Sequence, residues 1–176
     1  MFSVEHFCPL NIGFNRALNK LILNSNKIQD EGTAALSEAL KSNNTLETLD
    51  LYKNQIGVAG AQSLADMLQV NRALTALDVR FNDLGDGSAA LAGAVSEHQQ
   101  IKMFCEIPVK QLRDDALTEL DLNGKDIGTC GAMVLAHLLK FSRALKSADL
   151  RRNGIPDEAK QQIRAAAAGK SITLKL

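Results

Sequence analysis

The sequence predicts an α/β solenoid, in which strand-turn-helix coils stack so that their strands form one parallel sheet and their helices the outer face. Three observations carry the prediction. Leu18, Leu46 and Leu74 stand 28 residues apart, as do Leu117 and Leu145. Within each copy the apolar spacing changes from two to four: Leu49 and Leu51, then Gly60, Leu64 and Leu68. Period two points side chains to one side of a strand, and period four stacks them on one helix face. An asparagine follows the strand in most copies, at Asn26, Asn54, Asn82 and Asn153. Its amide can satisfy backbone groups buried in the turn. One coil buries too little apolar surface to fold alone, whereas stacked coils share a continuous core.

The elements follow in order. Residues 1–17 hold Phe2, Val4, Phe7, Leu10, Ile12 and Phe14 without the repeat frame. They read as an N-terminal cap, with Phe7 and Phe14 laid over the first coil, because a solenoid must cover its open end. Coils then fill 18–176, starting near 18, 46 and 74. Gly32, Gly60 and Gly131 mark helix starts pressed against a neighbouring coil. The third coil is one residue short between Leu84 and Leu91, so its outer turn should differ. Residues 101–116 are too short for a full coil, and Pro108 interrupts them. They read as a helix-less repeat, a strand near 102–107 followed by a loop, or as an insertion outside the sheet. The frame restarts at Leu117, with Lys125 in place of the turn asparagine, and again at Leu145, where Pro156 opens the helix. Residues 171–176, with Leu174 and Leu176, form a terminal strand whose free edge offers a route to self-association, blunted by Lys175.

The segments LETLDLYKNQIGVAGAQSLADML and LTELDLNGKDIGTCGAMVLAHLL resemble the ribonuclease-inhibitor-like class of leucine-rich repeats. The resemblance covers about residues 18–100 and 117–176. It implies a right-handed β-α horseshoe with a parallel concave sheet and convex helices. The class includes the ligand-facing domains of NOD-like receptors, activators of the GTPase Ran, and the ribonuclease inhibitors, and the resemblance does not choose among those functions.

Bulk properties narrow the classes. The chain has 176 residues, 20 basic and 20 acidic, for a formal net charge of +0. That balance argues against nucleic acid and against a membrane surface, both of which select basic excess. Three cysteines, Cys8, Cys105 and Cys130, give no paired framework and fit a reducing, cytoplasmic location. The first residues lack the basic-then-apolar pattern of a secretion signal, and no apolar run is long enough to span a bilayer.

On the sheet's open face, alternate strand positions form columns about 4.8 Å apart. One column holds Ile22, Asp50, Asp78, Asp121 and Asp149, and the next includes Tyr52, Arg80 and Arg151. Beside it lie Ser25, Lys53, Phe81, Gly124 and Arg152. The aspartates repel one another at this spacing, so the cations beside them, Lys53, Arg80, Arg151 and Arg152, are either their internal partners or, with them, a mixed-charge recognition strip. Tyr52 and Phe81 are two of only 7 aromatics (6 Phe, 1 Tyr), and with Arg80 between them they have the composition of a binding hot spot.

No catalytic constellation and no metal site is expected. His6, His98 and His137 are scattered, Cys8 beside His6 lacks further ligands, and Cys130 reads as a small buried residue. AAAAGKS ends like a phosphate loop, but Arg164 stands where its first glycine belongs. No cofactor is implied. Charge is uneven: residues 141–176 hold 8 basic and 3 acidic side chains. The resulting expectation is a non-catalytic protein-interaction module working through the concave face. The alternatives are a GTPase regulator resembling the Ran activators and a structural, self-associating fragment.

Overall fold

The computed structural model of the chain describes residues 10–176. The chain divides between Ile101 and Lys102 into two compact units.

The first unit alternates short strands and longer helices: α1 (Leu10–Phe14), β1 (Lys20–Ile22), α2 (Gln29–Ser42), β2 (Thr48–Asp50), α3 (Val58–Val70), β3 (Ala76–Asp78) and α4 (Gly87–Glu97). β1, β2 and β3 are parallel and pair Leu21 with Leu49 and Leu49 with Leu77, so the register follows the 28-residue leucine spacing. Leu46, Leu49, Leu51, Ile56, Leu64 and Leu36 are fully buried, and Leu68, Leu74 and Leu77 nearly so. Each such side chain contributes roughly 1.5–3 kcal/mol of burial.

Two buried ladders hold these coils in register. At the turn after β2, the Asn54 Oδ1 accepts the backbone N–H groups of Asn26 and Ile28, in the preceding coil, at 2.9 and 3.3 Å. Its Nδ2 donates to the Leu23 carbonyl there and to Tyr52. Asn82 repeats the pattern on Asn54 N–H and Ile56 N–H, and on the Leu51 carbonyl. The second ladder runs along the helix C-termini. Asn43 and Asn71 each donate to two carbonyls of the preceding coil and accept the N–H groups two and three residues ahead. In the next coil His98 takes this place: Nε2 lies 2.7 Å from the Asn71 carbonyl, and Nδ1 accepts Ile101 N–H. That pair of bonds specifies the tautomer protonated at Nε2.

A third device joins helices. Asp30, in the first turn of α2, accepts Gly57 N–H at 2.6 Å and Gly60 N–H at 3.0 Å, capping α3 from the neighbouring coil. A Cβ at Gly60 would stand 2.7 Å from that carboxylate and 2.5 Å from Ile56, so glycine keeps the helices close enough for the cap.

The second unit contains β4 (Met103–Phe104), α5 (Val109–Arg113), β5 (Glu119–Asp121), α6 (Gly128–Leu139), β6 (Ser147–Asp149), α7 (Asp157–Ala167) and β7 (Thr173–Lys175). β5, β6 and β7 are parallel, with Leu120 beside Ala148 and Ala148 beside Leu174. Asn153 serves the turn of the Lys125 coil by accepting Lys125 N–H and Ile127 N–H and donating to the Leu122 carbonyl. Lys125 therefore leaves its own turn intact, because the amide comes from the next coil.

Two expectations need correction. Residues 101–116 are not helix-less: α5 follows directly on Pro108, which sits at its N-cap, where a missing N–H removes no helical bond. Only one turn fits, and Val109 and Leu112 bury its inner side. Phe14 does not cover the first coil. It is 79% exposed, and α1 approaches α2 through Gly13, whose Cβ would meet Ser42 and the Ala39 carbonyl. Residues Phe2, Val4, His6, Phe7 and Cys8 of the expected cap lie outside the described residues.

Candidate protein-binding face

The open face is built by strand ends. In β2, β3, β5 and β6 the last strand residue is an aspartate whose Oδ1 accepts the N–H two residues on: Asp50 from Tyr52, Asp78 from Arg80, Asp121 from Asn123 and Asp149 from Arg151. The aspartate column thus turns the chain out of the sheet, a local job for which Asp is suited. The next position but two, Ser25, Lys53, Phe81, Gly124 and Arg152, has φ between 53° and 67° throughout. That left-handed backbone suits Gly124 and costs a bulky side chain about 1 kcal/mol.

The expected site residues fall into two sets, one per unit. In the first, Ile22, Asp50 and Asp78 are in register across β1, β2 and β3. Ile22 is 47% exposed. The Tyr52 and Phe81 rings lie 4.8 Å apart at 46°, and the Arg80 guanidinium sits 5.7 Å over Tyr52. Arg80 grips Asp78 with Nε and Nη2, the shorter bond being 2.6 Å. Phe81 is 53% exposed in its left-handed turn position. An open groove of about 560 Å³ runs along these turns, lined among others by Lys27, Lys53, Gln55, Phe81 and Asp83.

In the second set, Asp121 pairs in register with Asp149. Arg151 holds Asp149 through Nε at 2.9 Å and Nη2 at 2.6 Å, and Lys175 approaches at 3.8 Å. The Arg151 side chain keeps the Asp149 carboxyl ionised down to about 2. Arg152 is exposed in its left-handed turn. Arg80 and Arg151 thus neutralise the aspartate two residues before them. Lys53 and Arg152, expected to share that task, make no ion pair among the described residues.

Among the described residues no group of His, Cys, Asp or Glu could hold a metal ion. Cys105 and Cys130 are buried thiols, and burial pushes Cys130 up to about 12, which removes thiolate chemistry. His137 is half-buried, its ring 5.5 Å from that of Phe141. No helix among the described residues is long and apolar enough to cross a membrane. The residues that sequence reasoning missed are Asn43, Asn71 and His98, although Asn15, Asn43 and Asn71 recur every 28 positions.

A family model described as "Leucine Rich repeat" matches residues 10–37, 42–65 and 70–90. The matched residues, all in the first unit, carry the leucine-rich-repeat pattern. The first match begins at residue 10, so α1 lies within the repeat pattern. No curated protein matches the sequence. Two solved structures share the fold across nearly the whole chain. The leiomodin-1 actin-binding site 2 structure is 19% identical, with a TM-score of 0.57, covering 90% of this chain and 84% of that one. The C-terminal domain of tropomodulin from Caenorhabditis elegans is 20% identical, with a TM-score of 0.56, covering 94% of this chain and 91% of that one. At this identity the likeness establishes the leucine-rich-repeat solenoid fold and nothing finer.

Proposed function

We propose that the chain is a non-catalytic protein-binding module whose first unit engages its partner through Tyr52, Arg80 and Phe81, flanked by Ile22, Asp50 and Asp78. One observation carries this reading. Phe81 is a large apolar side chain held half-exposed, in a backbone conformation it disfavours, and stacked on the chain's only tyrosine. The backbone conformation is common to this turn position, but the exposed apolar side chain is not, since the other coils carry Ser25, Lys53, Gly124 and Arg152 there, and exposed apolar surface is what a contact residue offers. The clamp between Arg80 and Asp78 fixes the guanidinium beforehand, which lowers the ordering cost of binding. Asp121, Asp149, Arg151 and Arg152 make a second, wholly charged strip in the other unit.

The repeat subtype we assign is ribonuclease-inhibitor-like, supported by the 28-residue period and the α-helical return leg of each long coil. A cytoplasmic setting suits the free buried thiols. The GTPase-activator alternative is not favoured, since neither similar structure is described as acting on a GTPase. The leiomodin structure is described as an actin-binding site, which makes actin the first defined partner to assay. Cosedimentation with filamentous actin, and affinity capture with mass spectrometry, should be run on the wild type and on Tyr52→Ala/Arg80→Glu/Phe81→Ala. Loss of the captured partner in the triple variant supports the site, and unchanged capture discards it.

A further inference from the structure

A second groove, of about 410 Å³, opens in the second unit between the segment after α6 and the segment after α7. Its lining includes Ser142, Arg143, Ala144, Lys146, Lys170 and Ile172, with three basic side chains and no acidic one. Lys170 is not an ordinary surface lysine. Its Nζ donates to the Lys140 and Ser142 carbonyls, both at 2.7 Å, at the negative C-terminal end of α6. An ammonium carries three N–H donors, so one remains for a ligand. Anchoring has already removed most of the rotamer freedom that a free lysine would lose on binding.

The other two cations, Arg143 and Lys146, are exposed and held by no ion pair among the described residues. Asp115, the carboxylate bonded to this segment, takes the Ser142 hydroxyl, Arg143 N–H and Ala144 N–H on its Oδ1 alone, and its charge attracts Arg143 without forming an ion pair. The groove also offers carbon: Ala144 and Ile172 line it, and Phe141, 69% exposed, precedes its first residue.

We propose that this groove docks an acidic linear protein segment carrying an apolar side chain, its carboxylates meeting Arg143, Lys146 and Lys170 and its apolar group meeting Ile172. Three clustered cations over a partly apolar floor suit a short carboxylate-bearing peptide. A nucleic acid would need a longer track of cations matched to successive phosphates. The site shares no residue with the Tyr52–Arg80–Phe81 face, so either can fail alone.

The test is fluorescence anisotropy with a labelled Glu-Glu-Leu repeat peptide and the full chain. Binding should weaken with added salt and fall roughly tenfold or more in Arg143→Glu/Lys146→Glu. It should be unchanged in Lys160→Glu, which lies outside the groove. Arg143→Gln/Lys146→Gln gives a milder loss in the same direction and keeps the test decisive should charge reversal disturb folding. Absence of binding, equal binding by the reversed variant, or tighter binding of oligothymidylate or phosphatidylserine vesicles than of the peptide would each overturn the proposal.

Discussion

The two units meet the same backbone need with different chemistry. Where each helix ends, carbonyls and N–H groups of adjoining coils must be paired out of reach of water. The first unit uses neutral groups: the amides of Asn43 and Asn71 and the imidazole of His98, each both donor and acceptor. The second unit divides the roles between ions. Asp115 supplies the acceptor to Arg143 N–H and Ala144 N–H, and Lys170 supplies the donor to two carbonyls, with Ser142 between them. The amides of Asn43 and Asn71 serve at any pH, whereas a carboxylate serves only while ionised. The replacement also places charge at the surface, which is where the second unit's basic groove arises.

Four measurements sharpen or break this comparison. The largest effect belongs to Asn71→Ala, which orphans the Asn43 carbonyl and the Ala73 and Leu74 N–H groups and leaves the Leu40 carbonyl with only its bond from Asn43 N–H. It should cost about 3–5 kcal/mol in urea unfolding followed by circular dichroism. Next comes His98→Ala, expected to cost about 2–4 kcal/mol through two lost bonds and a cavity, with His98→Asn staying within about 1 kcal/mol. An equal loss in both His98 variants would show that the ring is not standing in for an amide.

The third measurement is pH dependence. The N–H groups of Ala144 and Arg143 hold the Asp115 carboxyl below its usual range. A carboxylate lowered on folding stabilises above its unfolded value of about 3.9 and loses that contribution as pH falls through the folded one. The wild type should therefore lose stability relative to Asp115→Asn as pH drops below about 4. Parallel pH profiles would remove Asp115 from the ladder. The smallest effect belongs to Phe81→Gly. Relief of the left-handed strain, about 1 kcal/mol, nearly offsets the lost ring contact with Tyr52. Stability should move by less than about 1 kcal/mol while capture of the partner falls.

Much of this was legible in advance, for reasons that single residues make plain. The leucine register follows from the repeat length, because Leu49 and Leu77 pair directly. The turn ladder was legible because Asn54 and Asn82 stand where a coil leaves its strand. The helix-end ladder was not, because His98 and Ser142 break its identity and only geometry shows that an imidazole can replace an amide. Helix α5 was missed because five residues after a proline carry no periodic signal. At the open face, the pairing of the aspartates with Arg80 and Arg151 was legible from the charge pattern, whereas Lys53 and Arg152, without an ion pair among the described residues, were not told apart from them. The left-handed backbone at Phe81 was not legible: Ser25, Lys53 and Arg152 adopt it without being glycine.

The turn amides of the first unit all reach the same way along the stack. Asn54 completes the turn holding Asn26, and Asn82 completes the turn holding Asn54. A coil pulled off beyond Asn82 strips its predecessor's turn of support, whereas one pulled off before Asn26 leaves its successor's turn whole. Such a stack has a grain, like split wood: a coil lost from the Ile101 side leaves the turn beneath it without its amide, while one lost from the Leu18 side does not.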